Sequence, residues 1–469
     1  MNVSDLIEWL FLSYDNRVYF PTYRDMKKNQ FDLEQLKKIA DHTLHYAKSI
    51  GATASEVELS YGTGKNVSVR LGELETLEIN RDKGFSVTLY NDQRKGSSSS
   101  SDLSMQSIED TVEAAFNIAR YTAPDPFFDL ADKNLMATNM QDLDLYNAWD
   151  ISIDHMIDLA KTCEASALGV SQKITNSEGA SISSSEGIFI YANSHGFMGG
   201  YPTSRHSVGC SVIAEEKSMM QRDYWYSSAR HVEDLESVES VGKLAGTRTL
   251  SRLGAKKIQT CHAPVIFEAP IATGLISSLI SAISGGNLYR QSSFLLNSLG
   301  EKVASDQLTI EEDPFLLRGD ASSMFDDEGV ATNPRLLVDR GTINGYLLSS
   351  YSARKLGMQS TGNAGGAHNL IVKTGNQNLK DLIKQMHKGL FVTELLGHGI
   401  NMVTGDYSRG AAGFWVEDGV IAYPVEEITI AGNMKDMLKQ ILAIGNDVYR
   451  NGSKHTGSIL LEAMSIASS

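Results

Sequence analysis

The residues best suited to chemistry lie in one short stretch near the C-terminal end of the sequence. Asp406, Tyr407, Ser408 and Arg409 follow one another, and Gly410 comes next. Together they offer a carboxylate, two hydroxyls and a planar guanidinium, which can hold a peptide through hydrogen bonds. Glycines recur through the same stretch and tolerate positive φ, a pattern typical of a loop. We therefore predict a loop that binds substrate or a partner, with Arg409 as the main contact.

The residues that follow predict the sheet that would hold this loop. Apolar runs flank Asp418 and Gly419, a dipeptide favoured at a type I′ hairpin turn. Residues 425–430 predict a further strand. Two structural alternatives stay open at this point. The glycines could only shape a tight corner, or Arg409 could pair with Asp406 and stiffen its own loop.

Ser408 could also act as a nucleophile if a histidine served as its base. His398 and His368 are the candidates for that role. A nucleophile and its base must lie within hydrogen-bond reach, which sequence separation does not show. No GxSxG elbow is present, so the serine-rich run at 181–185 predicts a hydroxyl-bearing strand instead.

The composition describes a globular chain with more than one domain. The chain has 469 residues, of which 42% are hydrophobic and 21% charged, and this length exceeds what one core organises. A formal net charge of −15 argues against a general nucleic-acid grip. The cysteines Cys163, Cys210 and Cys261 are widely spaced and predict a reducing, cytoplasmic location. No run of about twenty apolar residues occurs, so no membrane-spanning helix is expected.

The order of the predicted elements indicates an α+β fold. A helix over 32–50, several strands and a second helix predict an N-terminal α/β-layer domain. Further helices are predicted at Ile153–Leu168, at Val232–Leu250 and at Ile271–Ile283. A larger C-terminal domain should be dominated by antiparallel sheet with flanking helices. The predicted division is an extension at 1–30, a first α+β domain at 31–120, a connector and β-rich middle region at 121–231, and a C-terminal domain at 232–469.

Several strings of residues are similar to one known family. In the second half they are Asp327–Thr332, Tyr351–Gly357, Ser360–Gly366, Gly405–Trp415 and Glu427–Asn433, and in the first half Asn80–Gly84 and Gln93–Ser97 also fit. These strings resemble the TldD/PmbA family, described as modulators of DNA gyrase, and look closer to its PmbA/TldE branch than to TldD. The resemblance covers roughly residues 31 to 469.

The resemblance implies a cytoplasmic assembly that cleaves unfolded or precursor peptides. In this family a TldD-type subunit carries zinc on a helix with a His-Glu-x-x-x-His motif and pairs with a TldE-type subunit. Such a helix holds the metal through its two histidines, and the glutamate serves the bound water as general base. The implied partners are a TldD-type subunit in a heterodimer, or a second copy in a homodimer, together with a peptide substrate. No nucleic acid and no membrane are expected to bind.

The sequence departs from the family pattern at the metal site. With Gly274 as the anchor, the positions of the His, Glu and His ligands correspond to Ser278, Leu279 and Ile283. Where TldD has a cysteine ligand near the C-terminus, this chain has residues 454–457, with Thr456 among them. A serine, two aliphatic side chains and a threonine do not make a catalytic zinc site. We therefore predict that this chain binds no metal and that the zinc lies in the TldD-type partner.

Three functional hypotheses follow from these patterns. The first is a metal-free subunit of a metallopeptidase that shapes the substrate chamber. Exposed strand edges support this hypothesis, because they can bind extended peptides by strand addition. The second is a non-proteolytic protein that binds a folded partner and modulates DNA gyrase or a toxin–antitoxin pair. The third is an independent hydrolase that uses Ser408, and no motif supports it. No catalytic residue is assigned in this chain.

Overall fold

The computed structural model describes residues 33–217 and 219–468. The predicted extension at residues 1–30 lies outside the described residues. Within the described ranges, no helix is long and apolar enough to cross a membrane. The fold is α+β, as predicted: in the part of the chain that the structure describes, the N-terminal layer has one sheet and four helices, and the C-terminal part is rich in sheet.

Six antiparallel strands form the first sheet, in the spatial order β3-β2-β1-β4-β5-β6. The strands are β1 Ala54–Arg70, β2 Glu73–Asn91, β3 Arg94–Ser100, β4 Ile174–Asn193, β5 Met198–Glu216 and β6 Met219–Ala229. Two long strands, β1 and β2, occupy much of the segment where the sequence predicts several strands between the first two helices. The two strands join in a tight turn at Leu71 and Gly72, both of which have positive φ.

Four helices cover one face of this sheet. They are α1 Leu33–Ser49, α2 Met105–Tyr121, α3 Ile153–Leu168 and α4 Val238–Ser251. The first pair packs over β1 and β2 in one apolar cluster, and the second pair packs over β4 and β5 in another. Helix α4 begins six residues later than the helix predicted from Val232, because residues 232–234 form a separate 3₁₀ turn and Ser237 caps the helix through Ser240 N–H.

Regions that were predicted to belong to different domains contact one another in the structure. Strand β4 of the predicted middle region pairs with β1 of the predicted first domain from Glu56 to Val69. Helix α4 belongs to the predicted C-terminal domain, yet it shares an apolar cluster with α3 and β5. The division of the chain at residues 120 and 231 therefore stays a prediction.

The C-terminal part contains two sheets with five short helices. A six-stranded sheet has the order β14-β13-β12-β7-β17-β15, and a five-stranded sheet has the order β10-β9-β8-β11-β16. Their pairings are antiparallel except for β7 with β12 and β11 with β16. The elements are β7 Cys261–Phe267, α5 Ala269–Ala282, α6 Gly285–Tyr289, β8 Ile310–Asp313, β9 Arg335–Asp339, β10 Thr342–Ile343, α7 Ser350–Leu356, β11 Asn369–Val372, α8 Leu379–Met386, β12 Gly389–Leu396, β13 Asp406–Glu417, β14 Val420–Asn433, α9 Met434–Lys439, β15 Ile441–Ile444, β16 Lys454–His455 and β17 Ile459–Ser468.

The stretch predicted as a glycine-rich loop is the first half of strand β13. Residues 406–411 pair with β14 on one side, and Gly410 pairs with Leu396 of β12 on the other. The glycines serve close strand packing: a Cβ on Gly413 would lie 2.0 Å from the Phe391 carbonyl oxygen. The expectation of a loop was wrong because it took glycine as a sign of turns, whereas here glycine lets neighbouring backbones approach.

A buried carboxylate ties the five-stranded sheet together. Glu312 in β8 accepts hydrogen bonds from Arg335 Nε at 2.6 Å, from Asn363 Nδ2 at 2.8 Å and from the main-chain N–H of His368 at 2.9 Å. Burial alone would raise the pKa of this carboxyl, but the bonds from His368 and the charge of Arg335 outweigh burial and lower the pKa to about 2. The side chain therefore stays ionised inside the protein.

Helix α7 holds the connector between α2 and α3. The Arg354 guanidinium donates to the carbonyl oxygens of Phe127, Asp129 and Leu130, at 3.3, 3.0 and 2.5 Å. The Tyr351 hydroxyl donates to the Asp125 carboxylate at 2.9 Å. The string Tyr351–Gly357 thus fastens the N-terminal layer to the C-terminal part.

Candidate functional site

A cleft of about 450 Å³ lies between the first sheet and the C-terminal part. Its walls are strand β6, helix α4, the start of α5, strand β12 and the loop at 449–454. Strand β6 is the edge strand of the first sheet, so one of its two sides has no neighbouring strand among the described residues. The cleft therefore runs beside an open sheet edge.

The side chain of Asn451 shows how the open edge of β6 can bind a peptide backbone. The Asn451 amide accepts a hydrogen bond from the Ser228 main-chain N–H at 3.4 Å and donates to the Tyr226 carbonyl at 3.0 Å. These are the two bonds that a paired strand would make. Because main-chain groups alternate along a strand, those of Tyr224 and Arg222 point to the same edge. The Tyr224 N–H is covered by the Asp223 carboxylate at 2.7 Å.

Aromatic side chains line the same edge. Tyr224 and Tyr226 are 52% and 39% exposed, and their rings stack with centroids 6.4 Å apart. The Tyr449 hydroxyl donates to the Tyr226 hydroxyl at 2.6 Å, and the Tyr449 ring contacts Trp225 edge-on. Burial, followed by the bond to Tyr226, raises the pKa of Tyr449 well above its usual range. These rings give the cleft a firm apolar wall with polar tips.

A network of opposite charges forms the floor of the cleft. Arg248 binds the Glu268 carboxylate through two bonds of 2.7 and 3.0 Å, and its guanidinium lies 5.3 Å from the centre of the Trp225 ring. Burial alone would lower the pKa of Arg248, but Glu268 and Asp223 raise it above the usual value. Burial raises the pKa of Glu268, and Arg248 opposes that rise. The charges pair with one another, although among the described residues Arg248 Nε has no hydrogen bond and lies 3.5 Å from the Asp223 carboxylate.

The start of helix α5 faces this cleft with hydroxyl side chains. Thr273 and Ser277 line the cleft, and both hydroxyls donate to carbonyls of their own helix. The predicted positions of lost ligands do not fit a zinc ion. The Ser278 hydroxyl donates to the Gly274 carbonyl at 2.7 Å, and Leu279 and Ile283 lie fully buried in the apolar core.

The C-terminal position of the predicted lost site is equally unsuited to a metal. Thr456 is fully buried, and its hydroxyl donates to the Gly457 carbonyl at 3.1 Å. Within residues 33–217 and 219–468, no three His, Cys, Asp or Glu side chains form a group that could hold a metal ion.

The predicted site residues 406–410 do not line the cleft. Asp406 and Ser408 are exposed, whereas Tyr407 is buried in the core. Arg409 is half-buried on the same side of the strand as Tyr407, and its charge opposes the burial that raises the pKa of Tyr407 to about 12. Gly410 lies beside Leu396, the residue that follows the cleft wall in β12.

Asp406 does not form the pair with Arg409 that was left open as a structural alternative, and it bonds to other residues. Its carboxylate accepts from the Thr404 hydroxyl at 2.7 Å and from Asn433 Nδ2 at 3.0 Å. These two bonds lower the pKa of Asp406. The Asn433 side chain also caps helix α9 through the Lys435 N–H. Asp406 therefore fastens the chain before β13 to the start of α9.

The third hypothesis requires a serine nucleophile that is hydrogen-bonded to a histidine base, and the described residues do not form this pair. Ser408 is exposed on β13, and its hydroxyl has no hydrogen bond to His398 or His368 among the described contacts. His368 instead lies buried beside Glu312, with Nδ1 at 3.1 Å from Oε1. His368 directly precedes β11 of the five-stranded sheet, whereas Ser408 lies in β13 of the six-stranded sheet.

The residues of the cleft were missed by reasoning from the sequence. Tyr224, Trp225 and Tyr226 lie in the region predicted only to be rich in strands, and Arg248 and Asn451 give no local signal. Three consecutive aromatic residues on one strand were the available clue, because a strand buried on only one face exposes alternate side chains.

Three family models match the chain in order along the sequence. Residues 55–119 match "PmbA/TldA metallopeptidase domain 1", residues 146–253 match the central domain of that family, and residues 260–468 match its C-terminal domain. The matches cover most of the chain and confirm the predicted resemblance. The chain belongs to the PmbA/TldD family of metallopeptidases.

Relatives and solved structures agree with this assignment. The chain is 49% identical to Metalloprotease PmbA of Escherichia coli over 93% of this chain and 97% of the relative, and 47% identical to a PmbA homologue of Haemophilus influenzae over 92% and 96%. A proposed modulator of DNA gyrase from Bacteroides thetaiotaomicron superimposes with a TM-score of 0.89 at 32% identity, covering 93% of this chain and 100% of the other. TldE of Thermococcus kodakarensis shares the fold, with a TM-score of 0.77 at 21% identity, over 92% and 100%.

Proposed function

We propose that this chain is the metal-free, peptide-holding subunit of a cytoplasmic metallopeptidase assembly, and that a TldD-type partner carries the zinc. One observation carries the proposal. In a family of metallopeptidases, the helix that faces the cleft offers hydroxyl groups, and Ser278, Leu279 and Ile283 take the ligand positions with side chains unfit for zinc.

The cleft suits an extended peptide. An open edge of strand β6 offers the main-chain N–H and carbonyl of Arg222 and the carbonyl of Tyr224, which bind a peptide backbone whatever its sequence. The exposed rings of Tyr224 and Tyr226 add contact area for side chains of many kinds. This combination fits unfolded or precursor peptides, because both present an accessible backbone.

The exposed side chains of the predicted stretch suit a contact with the partner subunit. Asp406 and Ser408 face solvent on the outer side of β13, away from the cleft wall. A TldD-type subunit seated there would complete the chamber beside the cleft. Arg409 and Tyr407 support that surface from within, and Gly410 permits the close strand approach.

The cytoplasmic location belongs to the same proposal. Cys163, Cys210 and Cys261 are free thiols, and the first two are buried. Free thiols fit a reducing compartment, where the family's peptides would be met during turnover or maturation.

The test is peptide cleavage by purified components. The isolated chain should not cleave an unfolded fluorogenic peptide and should contain substoichiometric zinc, whereas a mixture with a TldD-type subunit should cleave and lose activity with a chelator. Tyr224→Ala in the mixture should raise KM about 5- to 30-fold with little change in kcat, since an aromatic anchor contributes about 1 to 2 kcal/mol to binding.

Tyr121→Ala is the matched control, because Tyr121 is 85% exposed on α2 and does not line the cleft. It should leave KM unchanged. Cleavage by the isolated chain that resists chelation would overturn the proposal. So would a mixture whose KM is the same with and without Tyr224.

A further inference from the structure

Strand β13 carries an arginine whose charge has no counter-charge among the described residues. No carboxylate of residues 33–217 or 219–468 lies within ion-pair distance of the Arg409 guanidinium, and its Nε is buried without a hydrogen-bond partner there. The Tyr407 hydroxyl, on the same face of the strand, is buried and also lacks a partner in these ranges. Arg248 and Arg335, by contrast, each bind a glutamate. A half-buried guanidinium without an anion is costly to a folded protein, so this one indicates a site for a ligand.

The Arg409 side chain is held in one direction by its neighbours. Its residue pairs with the buried Ile430 of β14. Gly399 lies over its stem, since a Cβ at that residue would be 2.8 Å from Arg409 Cγ. The guanidinium is close enough to the Tyr407 hydroxyl to oppose the rise in the Tyr407 pKa that burial causes. The side chain as a whole is only half-buried, so the two terminal nitrogens remain accessible while Nε is enclosed.

Strand pairing places Arg409 just beyond the wall of the peptide cleft. Ala411 pairs with Leu395 of β12, and Leu395 lines the cleft. Both residues pack on the face of the sheet that α5 covers. Because alternate residues of a strand share a face and lie about 7 Å apart, Arg409 takes the next position on that face after Ala411. A peptide that fills the cleft as far as Leu395 therefore meets the guanidinium next.

A carboxylate is the group that fits these donors. A planar guanidinium binds the two oxygens of a carboxylate through parallel N–H bonds, and the Tyr407 hydroxyl can donate a further bond. Among the described residues, Arg409 is the only charge that acts on the Tyr407 hydroxyl. One positive charge matches a carboxylate better than a phosphate, which carries up to two negative charges. Peptides offer a carboxylate at the C-terminus and on aspartate and glutamate side chains.

We propose that Arg409, with the Tyr407 hydroxyl beside it, forms a carboxylate subsite that binds a carboxylate of the peptide held in the cleft. This inference rests on the proposed function, because that function places a peptide in the cleft. It adds a selectivity that the open edge of β6 does not supply, since main-chain pairing accepts any sequence. The peptides preferred are those with a carboxylate just beyond the part that contacts β6.

The experiment measures binding of labelled peptides to the full chain by fluorescence anisotropy. One unfolded peptide without aspartate or glutamate is made with a free C-terminal carboxylate and as the C-terminal amide. A third version is the amide with glutamate as its last residue. At least one of the two carboxylate peptides should bind about 5- to 30-fold more tightly than the plain amide, and the one that does so identifies the source of the carboxylate.

Variants of the subsite test whether Arg409 causes this preference. Arg409→Gln should bind all three peptides as the wild type binds the plain amide, and Arg409→Lys should keep only part of the preference. Tyr407→Phe removes a hydroxyl that has no partner among the described residues, so it should fold normally and weaken the preference by a smaller factor. Arg120→Gln is the matched control, because Arg120 is an exposed arginine at the end of α2, and it should keep the full preference.

Tyr224→Ala separates this inference from the proposed function. It should weaken the binding of all three peptides by the same factor. An unchanged affinity in Tyr224→Ala would contradict the proposed function alone. Equal binding of the three peptides by the wild type, or a preference that survives Arg409→Gln, would overturn the carboxylate subsite alone. Failure of the chain to bind any of the peptides would overturn both.

Discussion

Glu312 shows at the scale of a single residue how a buried charge stabilises this fold. Its carboxylate joins β8 to Arg335 in β9 and to the segment before β11 through His368 and Asn363. The pKa falls from an ordinary 4.5 to about 2. A carboxyl with a lowered pKa in the folded state stabilises the protein above its unfolded-state pKa, and that stabilisation is lost as the pH falls from about 4.5 to about 2.

Glu312→Gln should lower the free energy of unfolding by about 3 kcal/mol at neutral pH, because it leaves the half-buried guanidinium of Arg335 beside an uncharged amide. The variant should also lose the steep fall in stability between pH 4.5 and 2 that the wild type shows. Urea unfolding at several pH values measures both effects. Glu311→Gln, on the same strand but exposed, is the control and should change stability by less than about 0.5 kcal/mol. Equal effects of the two variants would contradict this account.

Strand β13 shows at the scale of an element why composition alone predicted the wrong local structure. Its glycines suggested a loop, but each meets a neighbouring strand. A Cβ on Gly413 would lie 2.0 Å from the Phe391 carbonyl oxygen, which is fixed backbone. A Cβ on Gly410 would first meet the Leu396 side chain at 3.2 Å, which can move slightly. A methyl group at residue 413 would therefore press against the backbone of β12, whereas one at residue 410 would displace only the Leu396 side chain.

Gly413→Ala should destabilise the protein by about 1 to 3 kcal/mol, since the added methyl group forces β12 and β13 apart. Gly410→Ala should cost less than about 1 kcal/mol, because only a side chain must shift. Thermal unfolding of the two variants, compared with the wild type, measures the difference. If Gly413→Ala were as mild as Gly410→Ala, the segment would be the predicted loop and not a strand held between two others.

The elements that periodicity alone specifies were predicted well. The helix expected at Ile153–Leu168 has those bounds in the structure, and the one expected at Ile271–Ile283 spans Ala269–Ala282. An apolar stripe and a capping residue are local features, so a sequence shows them directly. The pairing of β1 with β4 and the cleft between β6 and α5 are contacts between distant residues. The residues next to them in the sequence give no sign of these contacts. The predicted site on β13 therefore lies one strand away from β12, which forms the cleft wall.

The molecule as a whole depends on a few side chains that fasten its two parts. Arg230, the residue after strand β6, donates to the carbonyl oxygens of Gly319 and Asp320, at 2.9 and 2.8 Å. In the opposite direction, Arg354 of α7 holds three carbonyls of the connector. Both guanidiniums bind main chain, so each one fixes a backbone path and not merely a side chain.

Arg354→Ala should loosen the connector and separate the unfolding of the two parts. Three main-chain carbonyls would lose a charged donor, which we expect to lower stability by about 2 to 3 kcal/mol. Arg354→Lys should recover only part of the loss, because one ammonium cannot reach all three carbonyls in the geometry of a planar fork. Two measurements check this prediction. Calorimetry should show one transition in the wild type and a broadened or split transition in Arg354→Ala.

Limited proteolysis should cut the Arg354→Ala variant first between residues 125 and 132. Arg340→Ala is the matched control, since Arg340 is 72% exposed and its pair with Asp306 spans 3.5 Å, a surface contact worth under about 1 kcal/mol. A single sharp transition in Arg354→Ala, with no new cleavage in the connector, would show that other contacts hold the two parts together.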